Sequence, residues 1–234
     1  MKIDMITPFF YPVWGGEEKH TFHIAKELQN LNHKVTIHTS NIDRYNKKLK
    51  LKEIIKGIKV KRYKVWFKIG EFSSFFPSIF NAIRKSNSEL IHIHGYRHPH
   101  NLMPFLTKKP CILTLHWPNY PKGLRSKIND FIIPIFDVTL GKLILKKCKK
   151  VVALNEAEKK WVISKFKINP KKINIIGNGI SKKDLKQINK NIFRKKYKIP
   201  KNRLLVLCVG RLHKSKGFDQ VIKIAKFFPE VQFI

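Results

Sequence analysis

The sequence predicts an α/β fold built on a mostly parallel sheet. Three observations carry that expectation. Short β-branched runs alternate with longer stretches of helical period, as in successive βα units. An apolar fraction of 43 % with 12 % aromatic residues is enough to build a core and excludes a disordered chain. The 234 residues suit one large domain, or one domain and part of a second.

Taken in order, the strands are expected at Lys2–Ile6, Lys34–Thr39, Ile58–Tyr63, Leu90–His94, Cys111–His116, Lys150–Leu154 and Lys172–Ile176. Helices of 3.6-residue period are expected between them at Glu17–Leu31, Ser74–Lys85, Gly123–Lys147 and Glu156–Phe166. Seven strands with helices on both faces complete a doubly wound, Rossmann-like domain over residues 1–178. Residues 179–234 then offer a basic, Asn/Lys-rich stretch, a buried strand at Leu204–Val209, a helix at Gly217–Phe228 and a strand at Val231–Ile234. That is the opening of a second such domain, and a βαβ unit of this size buries too little surface to stand alone. Gly177-Asn178-Gly179 between the two parts offers positions that tolerate positive φ and is expected to act as the interdomain hinge.

The charge is extreme, with 49 Lys plus Arg against 15 Asp plus Glu, a formal +34. A polyanion partner fits such a balance, whether nucleic acid, anionic lipid or a phosphorylated substrate. The lysines are spread through the chain beside abundant Ile and Asn, however, and compositional drift gives the same pattern. Cys111, Cys148 and Cys208 form no C-x-x-C pair, which argues against a disulfide framework or a zinc ribbon and for a reducing, cytoplasmic setting. Neither a signal peptide nor a membrane span is expected, since the apolar stretch Phe131 to Leu145 is broken by Pro134, Asp137 and Lys142.

Four segments carry candidate chemistry. After the first strand, an aromatic loop leads to Gly15-Gly16, which open an amphipathic helix. Glycines there let a ligand approach the backbone, and the free amides of the first helical turn favour an anion, although the pair also suits a plain tight turn with Glu17 and Glu18 complementing the dipole. In LCVGRLHKSKGFD, Gly210 ends a strand, and Arg211, Lys214 and Lys216 precede the next helix. Cations at the carboxyl end of a parallel strand are placed to clamp a diphosphate, or they form an ordinary solvated loop. His116 closes a strand and faces the cleft region. His92, His94, His98 and His100 lie within nine residues, His92 and His94 on one strand face. No cysteine or spaced carboxylate completes a ligand set around them, so no metal is expected, and His94 is read as an acceptor-cleft or structural residue. P-loop, nucleophile-elbow and G-x-G-x-x-G patterns are absent, and no carboxylate pair suggests glycoside hydrolysis.

The order of these motifs resembles the retaining glycosyltransferases of family 4. The opening P-x-x-Y-P-x-x-G-G-x-E-x-H matches Pro8 to His20. The L-A-x-x-L helix and G-H-x-V-x-V-x-T strand match Ile24 to Leu28 and Asn32 to Thr39, with Asn32 in place of the usual glycine. The D-x-I-H-x-H strand is matched by Leu90 to His94 and the T-x-H strand end by Thr114 to His116. The segments around Val151 to Lys159, Lys172 to Ile180 and Gly210 to Asp219 follow in sequence.

The resemblance implies a GT-B fold with a shortened second Rossmann-like domain. It implies sugar transfer with retention from a UDP- or GDP-linked donor to a carbohydrate or lipid-linked glycan, with neither cofactor nor metal. Arg211 and Lys216 would hold the donor diphosphate, with Gly15 and Gly16 near it. His116 would contact the donor sugar as the catalytic residue of the cleft, and His94 and Glu18 would line the acceptor side. The family's E-x7-E motif, which binds the nucleotide ribose and the sugar, is not present in these residues. A catalytically inactive module that binds polyanions, a membrane surface or nucleic acid is the alternative, and no motif for specific nucleic-acid recognition is found. The expected setting is cytoplasmic, with peripheral contact at the inner membrane face through Val65, Trp66, Phe67, Phe72, Phe75, Phe76, Ile79 and Phe80, unless these pack in the core.

Overall fold

The computed structural model describes residues 1–69, 73–116, 127–180, 190–210, 212 and 216–234. In the first unit, which ends at Gly179, strand β1 (Lys2–Ile6) leads through helix α1 (Gly16–Asn30) to β2 (Lys34–Ser40), β3 (Lys52–Ile55) and β4 (Ile58–Tyr63). A short pair, β5 (Phe67–Ile69) and β6 (Ser73–Phe75), precedes α2 (Ser78–Arg84), β7 (Leu90–His94), α3 (Met103–Leu106) and β8 (Cys111–Thr114). Helices α4 (Lys127–Phe136) and α5 (Lys142–Lys147), strand β9 (Lys150–Ala153), helix α6 (Glu156–Phe166) and strand β10 (Ile173–Ile175) complete it.

The main sheet runs β10-β9-β8-β7-β1-β2-β4-β3, parallel throughout except for β3 at the edge. From β1 the chain first builds outward through β2 to β4, then returns to the other side of β1 and builds outward again from β7. The strand order therefore reverses between β1 and β7, which is where doubly wound sheets bind ligands, at the carboxyl ends of the strands.

Each face of the sheet has its own core. One core joins Ile3, Met5, Val35, Ile37, Ile58 and Val60 to Phe22 and Ala25 of α1. The other packs Ile6, Ile91, Ile93, Leu113 and Val151 against Ile79 and Ile83 of α2, Ile144 and Leu145 of α5, and Val162 and Phe166 of α6. The expected strands of this unit all form, most of them shortened or extended by one or two residues at an end, and the fold is the expected doubly wound one.

Several elements differ from the sequence reading, each for a local reason. Ser74 and Phe75 belong to β6, and α2 starts only after Pro77, since a proline disfavours helical backbone in the residue before it. Phe76 and Ile79 are core residues, which removes them from any membrane contact, while Trp66 and Phe67 are exposed; Phe72 lies outside the described residues. Of the long helix expected over Gly123–Lys147, the described part begins at Lys127 and widens into one π turn at Asp137–Gly141, three residues beyond Pro134. There Asp137 turns fully inward to Arg97, Lys165 and the Tyr96 hydroxyl. Strand β8 ends at Thr114, two residues short of His116. Strand β3 was not expected. A Lys56-Gly57 turn with positive φ at both residues joins it to β4, and its Ile54 is exposed on the sheet edge, so it lacks a clear apolar pattern.

The chain passes from the first unit to the second at Gly179, and neither Gly177 nor Gly179 uses positive φ. The second unit contains α7 (Lys190–Lys196), β11 (Leu205–Val206), α8 (Phe218–Ala225) and β12 (Gln232–Phe233), with β11 and β12 parallel. The strand expected at Leu204–Val209 is shorter and less buried: Leu204, Leu207 and Val209 are exposed, because the described part of this sheet has two strands and one adjoining helix to cover them. Among the described residues no helix is long and apolar enough to cross a membrane.

Candidate active site

The site is built where three segments meet at the carboxyl ends of β1, β7 and β8. The loop after β1 carries the chain to Gly15, the extended N-cap of α1. Beneath Gly15 lies the buried carboxylate of Glu18, whose Oε1 accepts a 2.6 Å charged hydrogen bond from Arg44. A Cβ on Gly15 would stand 2.4 Å from Glu18 Oε2 and 3.0 Å from Arg44 Nη2, so a side chain there would have to displace the ends of that ion pair. Gly16 has nothing within 4 Å of its own would-be Cβ and opens the first turn of α1 to solvent. The two glycines thus do different jobs: Gly15 closes over an ion pair, and Gly16 leaves the helix N-terminus accessible to an anion.

Next to this turn stands a group of imidazoles. His94 ends β7 and is fully buried; its Nδ1 lies 3.1 Å from Nε2 of His116. His116 follows β8 with φ of +60°, in the left-handed region that histidine enters more readily than most residues. His20, one turn into α1, stacks edge-on to both, with ring centroids 5.0 Å from His116 and 5.8 Å from His94. His92 lies under His94 at 4.2 Å, as the two-residue strand period requires, and its Nε2 is 2.8 Å from the Thr114 hydroxyl. His98 and His100 have structural partners: His98 Nδ1 meets the Ser73 hydroxyl at 3.0 Å, and His100 Nε2 donates to the His94 carbonyl.

Burial holds these imidazoles neutral. It lowers His116 to about 3, with the neighbouring His20 and His92 adding to the effect, and lowers His92 and His100 to about 4. His20 is lowered by the same cause, partly opposed by a hydrogen bond with Asn178. Glu17 behaves in the opposite sense. Burial first, then the adjacent Glu18 carboxylate, push it up to about 8, although the Thr7 hydroxyl and Arg44 favour its charged form. At neutral pH this corner therefore carries little negative charge to repel a phosphate.

The structure brings Gly15, Gly16, His94 and His116 together, and sets Glu18 below them as the buried partner of Arg44. Lys216 is exposed in the second unit, just before Gly217, whose φ is +67°. Arg211 and Lys214 lie outside the described residues. His20 and Glu17 join this group although neither was given a role from the sequence; His20 was marked as the last histidine of the opening motif, and both follow Gly16 on the side of α1 facing the strand ends.

The family model described as Glycosyltransferase Family 4 matches residues 14–183. An uncharacterized glycosyltransferase of Methanocaldococcus jannaschii is 28 % identical over 95 % of this chain and 58 % of its own length. The phosphatidylinositol N-acetylglucosaminyltransferase GPI3 subunit of Saccharomyces cerevisiae is 25 % identical over 99 % of this chain and 52 % of its own. The chain thus spans little more than half the length of these curated relatives. Among solved structures, sucrose-phosphate synthase from Thermosynechococcus elongatus superposes with a TM-score of 0.74 at 16 % identity, covering 99 % of this chain and 61 % of that one. Such a likeness shows the fold, which is of the GT-B type. With nearly three quarters of its residues under the family model, the chain belongs to glycosyltransferase family 4.

Proposed function

We propose that this chain acts in sugar transfer from a nucleotide diphosphate-sugar to a glycan or lipid-linked acceptor, with retention at the anomeric carbon and without a metal on the diphosphate. Residues 1–178 serve the acceptor side and residues 179–234 the donor side. The observation that carries this reading is the meeting of an open helix N-terminus at Gly16 with the imidazole of His116 at the switch point of the sheet. In the reaction, the bond from the sugar C1 to the diphosphate oxygen breaks and the acceptor oxygen bonds to the same carbon. The acceptor's proton leaves to the departing phosphate or to solvent. Negative charge grows on the leaving diphosphate, and the groups that would offset it are the first-turn amides of α1 and the cations Arg211 and Lys216. His116, neutral in its buried setting, would offer a hydrogen bond to the donor sugar, with His94 holding its ring from behind. Glu18 would support the glycine turn through Arg44.

The name of the yeast relative supports an N-acetylglucosamine donor and a lipid-linked acceptor as the first to try. For a lipid-linked acceptor the setting would be the cytoplasmic face of a membrane, with exposed Trp66 and Phe67 beside Lys64 and Lys68 as the contact. Retention on vesicles containing anionic lipid, lost in Trp66→Ala/Phe67→Ala, tests that part.

The donor reading is tested by calorimetric titration of UDP and GDP, with pyrophosphate as the charge control, into the chain and into Arg211→Ala/Lys216→Ala. A nucleotide that binds more tightly than pyrophosphate, and at least ten-fold more weakly to the variant, supports it. Equal binding of nucleotide and pyrophosphate sinks it and leaves a binder of polyanions.

A further inference from the structure

We infer that the amino-terminal end of the main sheet carries a second ligand site, for a soluble compound bearing two or more closely spaced phosphate groups. Two adjoining open cavities of about 580 and 640 Å³ lie where α2 and α5 end and β8 and β9 begin. Small-molecule sites are of this size, about 300–1,000 Å³. Arg84, Lys108, Lys109, Lys147 and Lys149 line the two cavities, and no carboxylate does. In a parallel sheet this end lies opposite the strand ends beside Gly16 and His116, so the site is separate from the one described above.

Lys109 is used inside the fold. Its ammonium donates to the carbonyls of Ile83 and Ser86 and to the Ser86 hydroxyl, which fixes the floor of the cavities. The other four cations are exposed, and among the described residues none of them makes a side-chain hydrogen bond or ion pair. Positive side chains at helix carboxyl ends ordinarily offset the dipole, and Arg84 and Lys147 close α2 and α5 in that way. Each helix end supplies only about half a negative charge, so of the five positive charges about four stay unbalanced. Lys108 and Lys149 belong to no helix. In a chain so rich in lysine a solvated basic face is the ordinary alternative; what sets this group apart is that its charges surround one concavity.

The size of the excess selects the ligand. A single phosphate group carries about 1.5–2 negative charges at pH 7, so two or three of them together match the site and one does not. The Arg84 guanidinium offers a planar fork to phosphate oxygens, and the lysines act as point charges around it. Phe105 and Leu106, each 43 % exposed, form an apolar side of the first cavity that suits the carbon frame of a phosphorylated organic molecule. Trp66 and Phe67 follow the carboxyl end of β4, at the other end of the sheet, so a membrane met there leaves these cavities facing solvent. The ligand is therefore a free molecule and not a lipid headgroup.

The test is calorimetric titration of inorganic tripolyphosphate at physiological salt into the Arg211→Ala/Lys216→Ala chain, whose proposed donor clamp is removed, so that this site and the transferase reading fail separately. The expected result is one equivalent at micromolar affinity, with inorganic monophosphate at least ten-fold weaker. Adding Arg84→Ala/Lys108→Ala/Lys147→Ala should weaken tripolyphosphate at least ten-fold. Adding Lys47→Ala/Lys52→Ala/Lys59→Ala, which removes equal charge near the β3 edge of the sheet, should leave it unchanged. Lys108→Glu alone, one change in an exposed loop, repeats the test should the triple variant lose its native circular dichroism. Many weak sites that never saturate, or an equal loss in both triple variants, overturn the proposal. Vesicles containing phosphatidylinositol bisphosphate should not compete for the site; competition that depends on Arg84, Lys108 and Lys147 overturns the assignment to a soluble ligand.

Discussion

Arg44 reaches the buried carboxylate of Glu18 at 2.6 Å, and Gly15 lies directly over that ion pair. The turn that opens α1 is thus fixed from below by charge and from above by the want of a side chain. Gly15→Ala pushes a methyl against Glu18 Oε2 and should cost roughly 1–3 kcal/mol. Gly16→Ala, with open space around it at the start of a helix, should be neutral or stabilising by up to about 1 kcal/mol. Denaturant melts of the two variants check the contrast.

Arg44→Ala leaves the buried Glu18 carboxyl without its guanidinium. Removing one partner of a buried pair costs about 3–5 kcal/mol, and a figure at the lower end is expected here because Arg44 is partly exposed. In the double variant Arg44→Ala/Glu18→Gln the stranded charge is gone, so much of that stability should return. A double-mutant cycle by chemical denaturation reads both.

Glu17 sets a pH dependence of its own. Its folded value, raised to about 8 by burial and then by Glu18, lies above its unfolded value, so its ionisation opposes folding. The penalty is absent below the unfolded carboxylate range, grows as pH rises from about 4.5, and is complete above about 8. Glu17→Gln should remove it, making the variant more stable than the parent by up to a few kcal/mol at pH 8.5 and little different at pH 4.5. Thermal melts at the two pH values decide this.

Asp4 works in the other direction. Burial alone would raise it, but the hydrogen bond and charge of His38, with help from Ser86 and Ser88, bring it down to about 2. A depressed carboxylate stabilises the fold above its unfolded value, and that stability is lost as pH falls through about 4 to 2. Asp4→Asn should cost about 2 kcal/mol at pH 7 and flatten the acid limb of the stability curve, measured by urea melts from pH 7 to 2.5.

The fold was legible in the sequence wherever an element is buried on both faces. Runs such as Leu90–His94 and Lys150–Ala153 have one apolar reading, and the sheet forms as expected. Legibility fails where a side chain's partner lies far off in the chain. The π turn at Asp137 answers to Arg97 and Lys165, and no local pattern announces that. Strand β3 is an exposed edge with charged residues, so alternation is weak there. The site shows the same division. Gly15, Gly16, His94 and His116 could be marked by motif. That His20 completes their cluster, and that Glu18 is an internal ion-pair partner, depend on α1 lying against the ends of β7 and β8.

The proposed function sets the His116 imidazole, just after β8, against the donor sugar, with His94 behind it. Nuclear magnetic resonance of the histidine rings during titration with UDP-N-acetylglucosamine and with UDP alone tests it most directly. Saturable shifts of the His116 and His20 ring signals are expected with the nucleotide-sugar, and much smaller shifts with UDP. Ring signals unmoved at concentrations that saturate nucleotide binding would contradict it.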